Sequence, residues 1–390
     1  MRPVFILGVG LHPFGRWADR GLTDLAAVAI REALDVACAT PRDLEFAYVA
    51  NSYAGLLTGQ ESVRGQVTLS YCGIHEIPIV NVENACAGGS TALREAWLSV
   101  GSGLYDFGLA LGVEKLYVGD TARTVKAIAT STDIALLGQN GFQFTASYAV
   151  KAKRYMERTG ARIEDIARVV VKNRANAAQN PYAQYRKEVS VEEVLSSRLI
   201  CDPLRLFMCS SIADGAAAVI VGSEEAARRL NLPPRVRIAA SSLVSGAYSP
   251  NAGNAIVRAA SDAYRLSGFS PDDVEVAEVH DASANAEFEH LEDLGFCPEG
   301  QGAEWIRTGR CDLHGTLPVN PSGGLIGRGH PVAATGLAQL SEIFWQITGR
   351  AGPRQVPGRH RATPRIGLTL NTGGRIEEDR AAAAVHILAA

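Results

Sequence analysis

The stretch AAVAIREALDVACATPRDLEFAYVANS, Ala26–Ser52, returns further along the chain as AIVRAASDAYRLSGFSPDDVEVAEVHDA, Ala255–Ala282. Pro41 matches Pro271, Asp43 matches Asp273, Ala33 matches Ala263 and Val49 matches Val279, all at one offset. Each copy reads as a helix with one apolar face, a turn opened by proline, and a short apolar strand. The same order met twice implies a duplicated α/β unit. Outward from the first copy, Pro3–Val9 and Ile77–Val82 read as strands, Ala87–Val100 as a helix and Phe107–Val113 as a buried strand. Strands alternating with helices predict largely parallel sheets covered by helices. The first half ends near Ser223, after the apolar strand Ala216–Val221. The polar stretch Glu224–Arg237, with Pro233-Pro234, reads as the linker. The chain therefore divides into residues 1–223 and 235–390, and a mainly helical insert, 119–200, is carried by the first half.

Composition narrows the class. Of 390 residues, 47% are hydrophobic and 20% charged, which excludes a mainly disordered chain. The net charge of −3 is not that of a nucleic-acid-binding surface. No apolar run approaches the length of a membrane span. The opening apolar stretch, Val4–Val9, is too short for a secretory leader and reads as a first buried strand. Seven scattered cysteines, Cys38, Cys72, Cys86, Cys201, Cys209, Cys297 and Cys311, contain no CxxC pair. They predict free thiols in a reducing cytoplasm and no structural metal. The insert holds 13 basic against 8 acidic residues, a local excess that suits an anionic ligand such as a nucleotide phosphate. Solvated helix faces would give the same count.

Three motifs can carry chemistry. Cys86 lies in Asn81-Val-Glu-Asn-Ala-Cys-Ala-Gly-Gly-Ser, between an apolar strand and a helix. A helix N-terminus favours a thiolate, and Gly88 and Gly89 leave room beside the sulfur. The plain alternative is an inert cysteine in a strand–helix turn. His330 lies in the glycine-rich stretch Asn320-Pro-Ser-Gly-Gly-Leu-Ile-Gly-Arg-Gly-His-Pro-Val, and Pro331 suits the start of a helix to about Ile347. By the duplication, this turn can lie opposite the Cys86 turn, and a histidine facing a cysteine is the minimal activated thiol. His280, in Glu278-Val-His-Asp-Ala, ends a strand, where α/β sheets bind ligands. It can donate to a developing oxyanion, or simply bond the backbone. Asn371-Thr-Gly-Gly lies between two strands, as an anion-binding nest or an ordinary hairpin.

Together these segments resemble the thiolase superfamily, in particular the sterol carrier protein X-type thiolases and their bacterial acetyl-CoA acetyltransferase-like relatives. The resemblance runs through NACAGGSTAL, YMERTG, VVVKNRANAAQNP, CSSIADGAAAVI, EVHDA, EDLGFCPEG and LPVNPSGGLIGRGHPVAATG. It implies two similar α/β halves stacked in five layers, αβαβα, usually as a dimer. It implies that Cys86 becomes acylated and that His330 activates it and contacts the second substrate's thioester oxygen. By the same resemblance His280 takes the place of an oxyanion-hole residue, and the backbone N–H groups of Cys86 and Gly373 surround the acyl-enzyme oxygen. Coenzyme A enters as a substrate rather than a resident cofactor, and most of its contacts are expected in the insert.

Two departures bear on mechanism. The second reactive cysteine of most thiolases, in a Cys-x-Gly-Gly motif, is here Asn371. The cysteine that X-type enzymes can carry directly after His-Asp is here Ala282. The group that moves the α-carbon proton is then His280 or a water held by Asn371, or else the substrate is one whose carbanion is already stabilised. The leading expectation is thiolytic cleavage of a β-ketoacyl-CoA, bulky or branched, through acyl-Cys86. The alternatives are acyl transfer to a non-CoA acceptor, a retro-aldolase subunit, and a non-catalytic lipid carrier or scaffold. Some relatives use a small partner built of a zinc ribbon and an OB-like barrel. No sterol-carrier domain follows Ala390, so such help in trans is expected. An activated Cys86 should be alkylated with a midpoint well below the free-thiol value of about 8.5.

Overall fold

The computed structural model describes residues 1–138, 141–233, 236–247 and 254–390. Within them lie eleven strands: β1 (Phe5–Leu11), β2 (Phe46–Ala50), β3 (Ile79–Val82), β4 (Phe107–Glu114), β5 (Leu199–Cys201), β6 (Leu204–Arg205), β7 (Gly215–Gly222), β8 (Val236–Ser245), β9 (Val276–Glu278), β10 (Ile366–Gly373) and β11 (Ala382–Ala389). Nine of them run in the order β3-β2-β4-β7-β1-β8-β11-β10-β9. Outward from the β1–β8 contact, the order is β1-β7-β4-β2-β3 on one side and β8-β11-β10-β9 on the other. A parallel bridge between Ala277 and Val319 stands where β2 pairs with β3 in the first half. The sequence repeat is thus a repeat of topology.

Local chemistry repeats with it. The carboxylate of Asp43 accepts from the N–H and hydroxyl of Thr40, both at 2.7 Å. The carboxylate of Asp273 accepts from the N–H and hydroxyl of Ser270, at 2.8 and 2.7 Å. Each closes the proline turn between helix and strand, in the two copies where the sequence matches.

Among the described residues the β1–β8 contact spans Phe5↔Arg237 and Ile6↔Val236. It joins two sheets that pack over a shared helical layer. That layer is made of the helices Gly88–Gly101 and Thr335–Thr348, whose apolar faces meet both sheets in one core. Leu22–Val36 covers the outer face of the first sheet and Ala255–Ser267 that of the second. The result is the five-layer αβαβα arrangement that the resemblance implies. The two central helices start against each other through glycine. A Cβ on Gly89 would lie 2.5 Å from the Ala333 carbonyl oxygen, and one on Gly336 would lie 2.2 Å from the Ser90 hydroxyl. No other residue type lets the backbones come this close.

The insert is helical at Thr121–Ile128, Phe144–Thr159, Ile163–Ala178 and Val191–Ser196. Ile163–Ala178 packs against the short helix Gly324–Arg328 that precedes His330. Part of its positive charge is structural. Lys172 is buried against Glu287 at 2.8 Å, and Arg174 lies 3.9 Å from the Tyr185 ring centroid. One reading of the sequence needs correction: Glu224–Arg229 is not open linker but a helix. The Ser223 hydroxyl accepts from the Ala226 N–H at 3.1 Å, and Ala226 and Ala227 are buried, which draws this segment into the first core. Pro234 and residue 235, the expected start of the second half, lie outside the described residues. Among the described residues no helix is long and apolar enough to cross a membrane.

Candidate active site

Cys86 sits in a single 3-10 turn, Ala85–Ala87, between β3 and the central helix Gly88–Gly101. Ala85 takes a φ of +47°, a conformation that costs a residue with a side chain roughly 1–2 kcal/mol. Its peptide groups are held at both ends: the N–H donates to the Glu83 carboxylate at 2.6 Å, and the carbonyl accepts from the Ser52 hydroxyl at 3.1 Å. Ser52 and Tyr53 are in turn held by the buried Glu114 at the end of β4. Glu114 accepts from the Ser52, Tyr53 and Ala333 N–H groups. Burial pushes its carboxyl up to about 7. Glu114 ties the Cys86 side of the site to the His330 side, and the sequence reading did not single it out.

His330 follows Gly329, whose φ of +105° requires glycine. The loop beneath it is fixed by buried carboxylates. Asp281 accepts from the Leu325 N–H at 2.7 Å, and Glu278 from the Ser322 N–H at 2.9 Å. His330 Nε2 lies 3.3 Å from Cys86 Sγ, so the structure brings together the two residues the sequence paired. His330 Nδ1 lies 2.7 Å from Thr335 Oγ1, and the Thr335 hydroxyl donates back to the Pro331 carbonyl at 3.1 Å. With its one proton used, Thr335 accepts from Nδ1–H. The free lone pair of Nε2 therefore faces the thiol, as a base requires.

His280 is placed from the other side. Gln339 Nε2 donates to the Leu370 carbonyl at 3.1 Å, which turns Gln339 Oε1 toward Asn371. Asn371 Nδ2 then donates to Gln339 Oε1 at 2.9 Å and to His280 Nδ1 at 3.2 Å. An accepting Nδ1 leaves the proton of His280 on Nε2. The rings of His280 and His330 meet edge to face at 5.3 Å. One donor atom from each of Cys86, His280 and His330 lies within 4.8 Å of the others. One substrate carbonyl can therefore meet a nucleophile, a base and a hydrogen-bond donor together. The same three atoms form a donor set that could also hold a soft metal ion.

Asn371 and Gly373 are not in a turn. They continue β10, paired with Ala384 and Ala382, and the bend begins at Gly374 with φ +60°. The loop expected at Asn371-Thr-Gly-Gly is corrected to strand, because the facing residues of β11 are alanines that admit close pairing. Asn371 is fully buried behind His280. Gly373 lies under the Cys86 turn: a Cβ there would lie 2.1 Å from the Asn84 carbonyl oxygen and 2.7 Å from the Ala87 N–H nitrogen.

Electrostatics revise one expectation. Burial, with the nearby Glu114 carboxylate, pushes the Cys86 thiol up to about 12, and its own backbone N–H offsets only part of this. Burial, with Arg328 nearby, lowers His330 to about 3. His280 is also held well below the usual histidine range, first by burial and then by the repulsion that a second cation at His330 would exert. The resting site is a neutral thiol facing a neutral imidazole, not the helix-end thiolate the sequence suggested. A water-poor pocket penalises two charges more than one helix end stabilises one of them.

The three residues open into a pocket of about 200 Å³. Its walls come from both halves and from the insert, including Tyr53, Ile128, Phe144, Tyr148, Ala282 and Arg380. Cys209, set aside from sequence with the other cysteines, lines the same pocket. Burial pushes its thiol up to about 11.

The chain is similar to known proteins. Residues 4–225 match the family model "Thiolase, N-terminal domain" and residues 241–389 match "Thiolase C-terminal domain-like". The chain is 39% identical to the acetyl-CoA acetyltransferase of Methanothermobacter thermautotrophicus over 99% of both chains. It is 38% identical to the benzoylsuccinyl-CoA thiolase subunit BbsB of Thauera aromatica, over 96% of this chain and 95% of that one. Among solved structures it resembles the Ltp2-ChsH2(DUF35) aldolase, with a TM-score of 0.82 at 25% identity over 100% of this chain and 98% of that chain. Human mitochondrial 3-ketoacyl-CoA thiolase shares the fold, with a TM-score of 0.77 at 17% identity over 100% and 99% of the two chains.

Proposed function

The chain belongs to the thiolase family and is a CoA-dependent, thiolase-type acyltransferase, and from that premise we propose that Cys86 carries the acyl group. The observation that supports this most directly is the 3.3 Å contact between Cys86 Sγ and the unprotonated Nε2 of His330. In thiolytic cleavage the thiol attacks the β-carbonyl of a β-ketoacyl-CoA while His330 takes its proton. The carbon–carbon bond then breaks, leaving R–CO–S–Cys86 and the enolate of an acyl-CoA. His280, with its proton on Nε2, donates to the enolate oxygen.

The proton that His330 took is the one delivered to the enolate α-carbon. A single histidine thus performs both transfers, which answers the loss of the second cysteine. Free CoA next attacks acyl-Cys86, its thiol proton passes through His330, and Cys86 leaves as a thiol. Asn371 acts through His280 as a positioning residue. The backbone N–H groups of Cys86 and Gly373 complete the hole around the acyl oxygen. The insert, 119–200, carries most of the CoA contacts, and no resident cofactor is needed.

We further propose a homodimer whose two halves per chain divide between residues 223 and 235, in the cytoplasm, with a small zinc-ribbon/OB-fold partner subunit. A Thauera relative described as a subunit and a solved complex with a DUF35 component support a partner of that kind.

The test is isotope exchange. With an acyl-CoA and labelled free CoA alone, a covalent acyl-enzyme exchanges label into the acyl-CoA. Exchange that disappears in Cys86→Ala supports the proposal. Carbon–carbon cleavage without free CoA, and with no exchange, would support the retro-aldolase alternative instead.

A further inference from the structure

Arg380 is a buried cation in the catalytic pocket. It lies just before β11, with 7% of its surface exposed, and it lines the same cavity as Cys86, His280 and His330. Its guanidinium lies over the Tyr148 ring, 5.2 Å from the centroid. Every other described side chain lining this pocket is apolar, hydroxyl-bearing, amide, thiol or neutral imidazole, so Arg380 is its one full charge. A buried charge is costly unless an opposite charge meets it.

Among the described residues no carboxylate stands at ion-pair distance from Arg380, although Tyr148, Glu289, Asp293 and Asp379 together outweigh its burial and hold the guanidinium above its usual range. Arg380 also lines a second, polar cavity of about 310 Å³, together with Glu289, Asp293 and Asp379. Asp379 is already paired with Arg258 at 3.3 Å, and Asp293 accepts from Asn254 at 2.7 Å. Lys151 and Arg375 add further positive charge to the neighbourhood. No acidic residue lines the catalytic pocket, and Val125, Ile128, Phe144 and Tyr148 give it apolar and aromatic walls.

We infer that the acyl-CoA substrate bears a carboxylate on its acyl part, and that Arg380 receives it. The inference rests on the thiolase reading above and names the substrate class of that same site. An arginine binds a carboxylate through two parallel N–H donors, which fixes the orientation of the acyl chain as well as its charge. The phosphates of coenzyme A are separated from the thioester by the whole pantetheine arm. An anion that reaches Arg380 while the reacting carbon is at Cys86 therefore belongs to the acyl group. The aromatic and apolar walls accommodate the body between carboxylate and thioester.

Glutaryl-CoA and pentanoyl-CoA, which differ only in a terminal carboxylate against a methyl group, are the probes. Their affinities are measured by calorimetry in Cys86→Ala, and their rates of Cys86 acylation by intact mass in the otherwise unaltered protein. Glutaryl-CoA is expected to bind about 100-fold more tightly. Arg380→Met should erase that preference and Arg380→Lys should retain part of it, with unchanged melting temperatures as the control for folding. Equal affinities, or a preference that survives Arg380→Met, would overturn the inference. Acylation by both donors without preference defeats the carboxylate inference alone. Absence of acyl-Cys86 with every donor defeats the thiolase reading itself.

Discussion

The two halves offer the same local scaffold to the site and fill it with different chemistry. In the first, the 3-10 turn Ala85–Ala87 feeds the helix Gly88–Gly101; in the second, the 3-10 turn Val332–Ala334 feeds the helix Thr335–Thr348. Cys86 is the middle residue of the first turn and Ala333 the middle residue of the second. The histidine of the second half stands before its turn rather than within it. The first turn is strained, with Ala85 at φ +47° and its sulfur open to the pocket. The second is unstrained, and Thr335–Ile347 behind it are all buried. A duplicated strand–turn–helix unit thus places one thiol at the pocket and gives one rigid support for an imidazole. What joins them is the Gly89–Gly336 approach, which seats both turns on one pocket.

The largest break in this comparison is removal of the base. His330→Gln should lower CoA-dependent cleavage about a thousandfold, within the span usual for a general base, while the melting temperature holds. His280→Ala comes next, at about a hundredfold, because it removes one oxyanion donor. Asn371→Ala should fall short of that, since it only loosens His280, and its kcat should suffer more than its KM. A steady-state assay on the three variants orders them; equal losses would dissolve the distinction between donor and positioning residue.

The packing that brings the turns together can be broken separately. Gly89→Ala and Gly336→Ala each force backbone or a buried hydroxyl aside and should cost about 1–3 kcal/mol by chemical denaturation. Ala333→Gly, at the residue that matches Cys86, should be milder. A smaller effect at Gly336 than at Ala333 would mean that the helices do not meet as described.

The pH behaviour of Cys86 sharpens the comparison further. A thiol pushed to about 12 beside a histidine lowered to about 3 leaves both groups neutral across the working range. Alkylation by iodoacetamide should therefore keep rising with pH through and beyond about 8.5, since only the thiolate reacts. A plateau with its midpoint well below that value would restore the helix-end thiolate. The smallest effect concerns the repeated caps. Hydrogen bonds from Thr40 and Ser270 hold Asp43 and Asp273 below the usual aspartate range. Their stabilisation is present above the unfolded value of about 3.9 and is lost as pH falls through the lowered one. Asp43→Asn and Asp273→Asn should lower stability by similar amounts, each under about 1 kcal/mol, in thermal melts at pH 7.

Much of this was legible in the chain. The repeat Ala26–Ser52 and Ala255–Ala282 shows the halves, because helix period, proline turn and strand are local signals. Cys86 and His330 were legible because each lies in a glycine-rich strand–helix turn. Arg380, Glu114, Thr335 and Gln339 were not. Their roles depend on which way a side chain points across the sheet stack, and no local spacing encodes that. Cys209 was set aside because its flanking residues look like any buried turn. The state of Cys86 was misjudged for a related reason: a helix start can be read from sequence, whereas the burial that outweighs it belongs to the assembled pocket. The helix Glu224–Arg229 was read as linker because its polar residues outnumber the two alanines it buries.

The central claim is that a thiol from the first half, activated by a histidine from the second, carries the acyl group. The direct measurement is peptide-resolved mass spectrometry after a single turnover with a β-ketoacyl-CoA, before and after addition of free CoA. The account predicts one acyl group per chain, on the peptide that contains Cys86, removed by CoA and formed far more slowly in His330→Gln. Turnover with no adduct at Cys86, or an adduct on Cys209 instead, would contradict it.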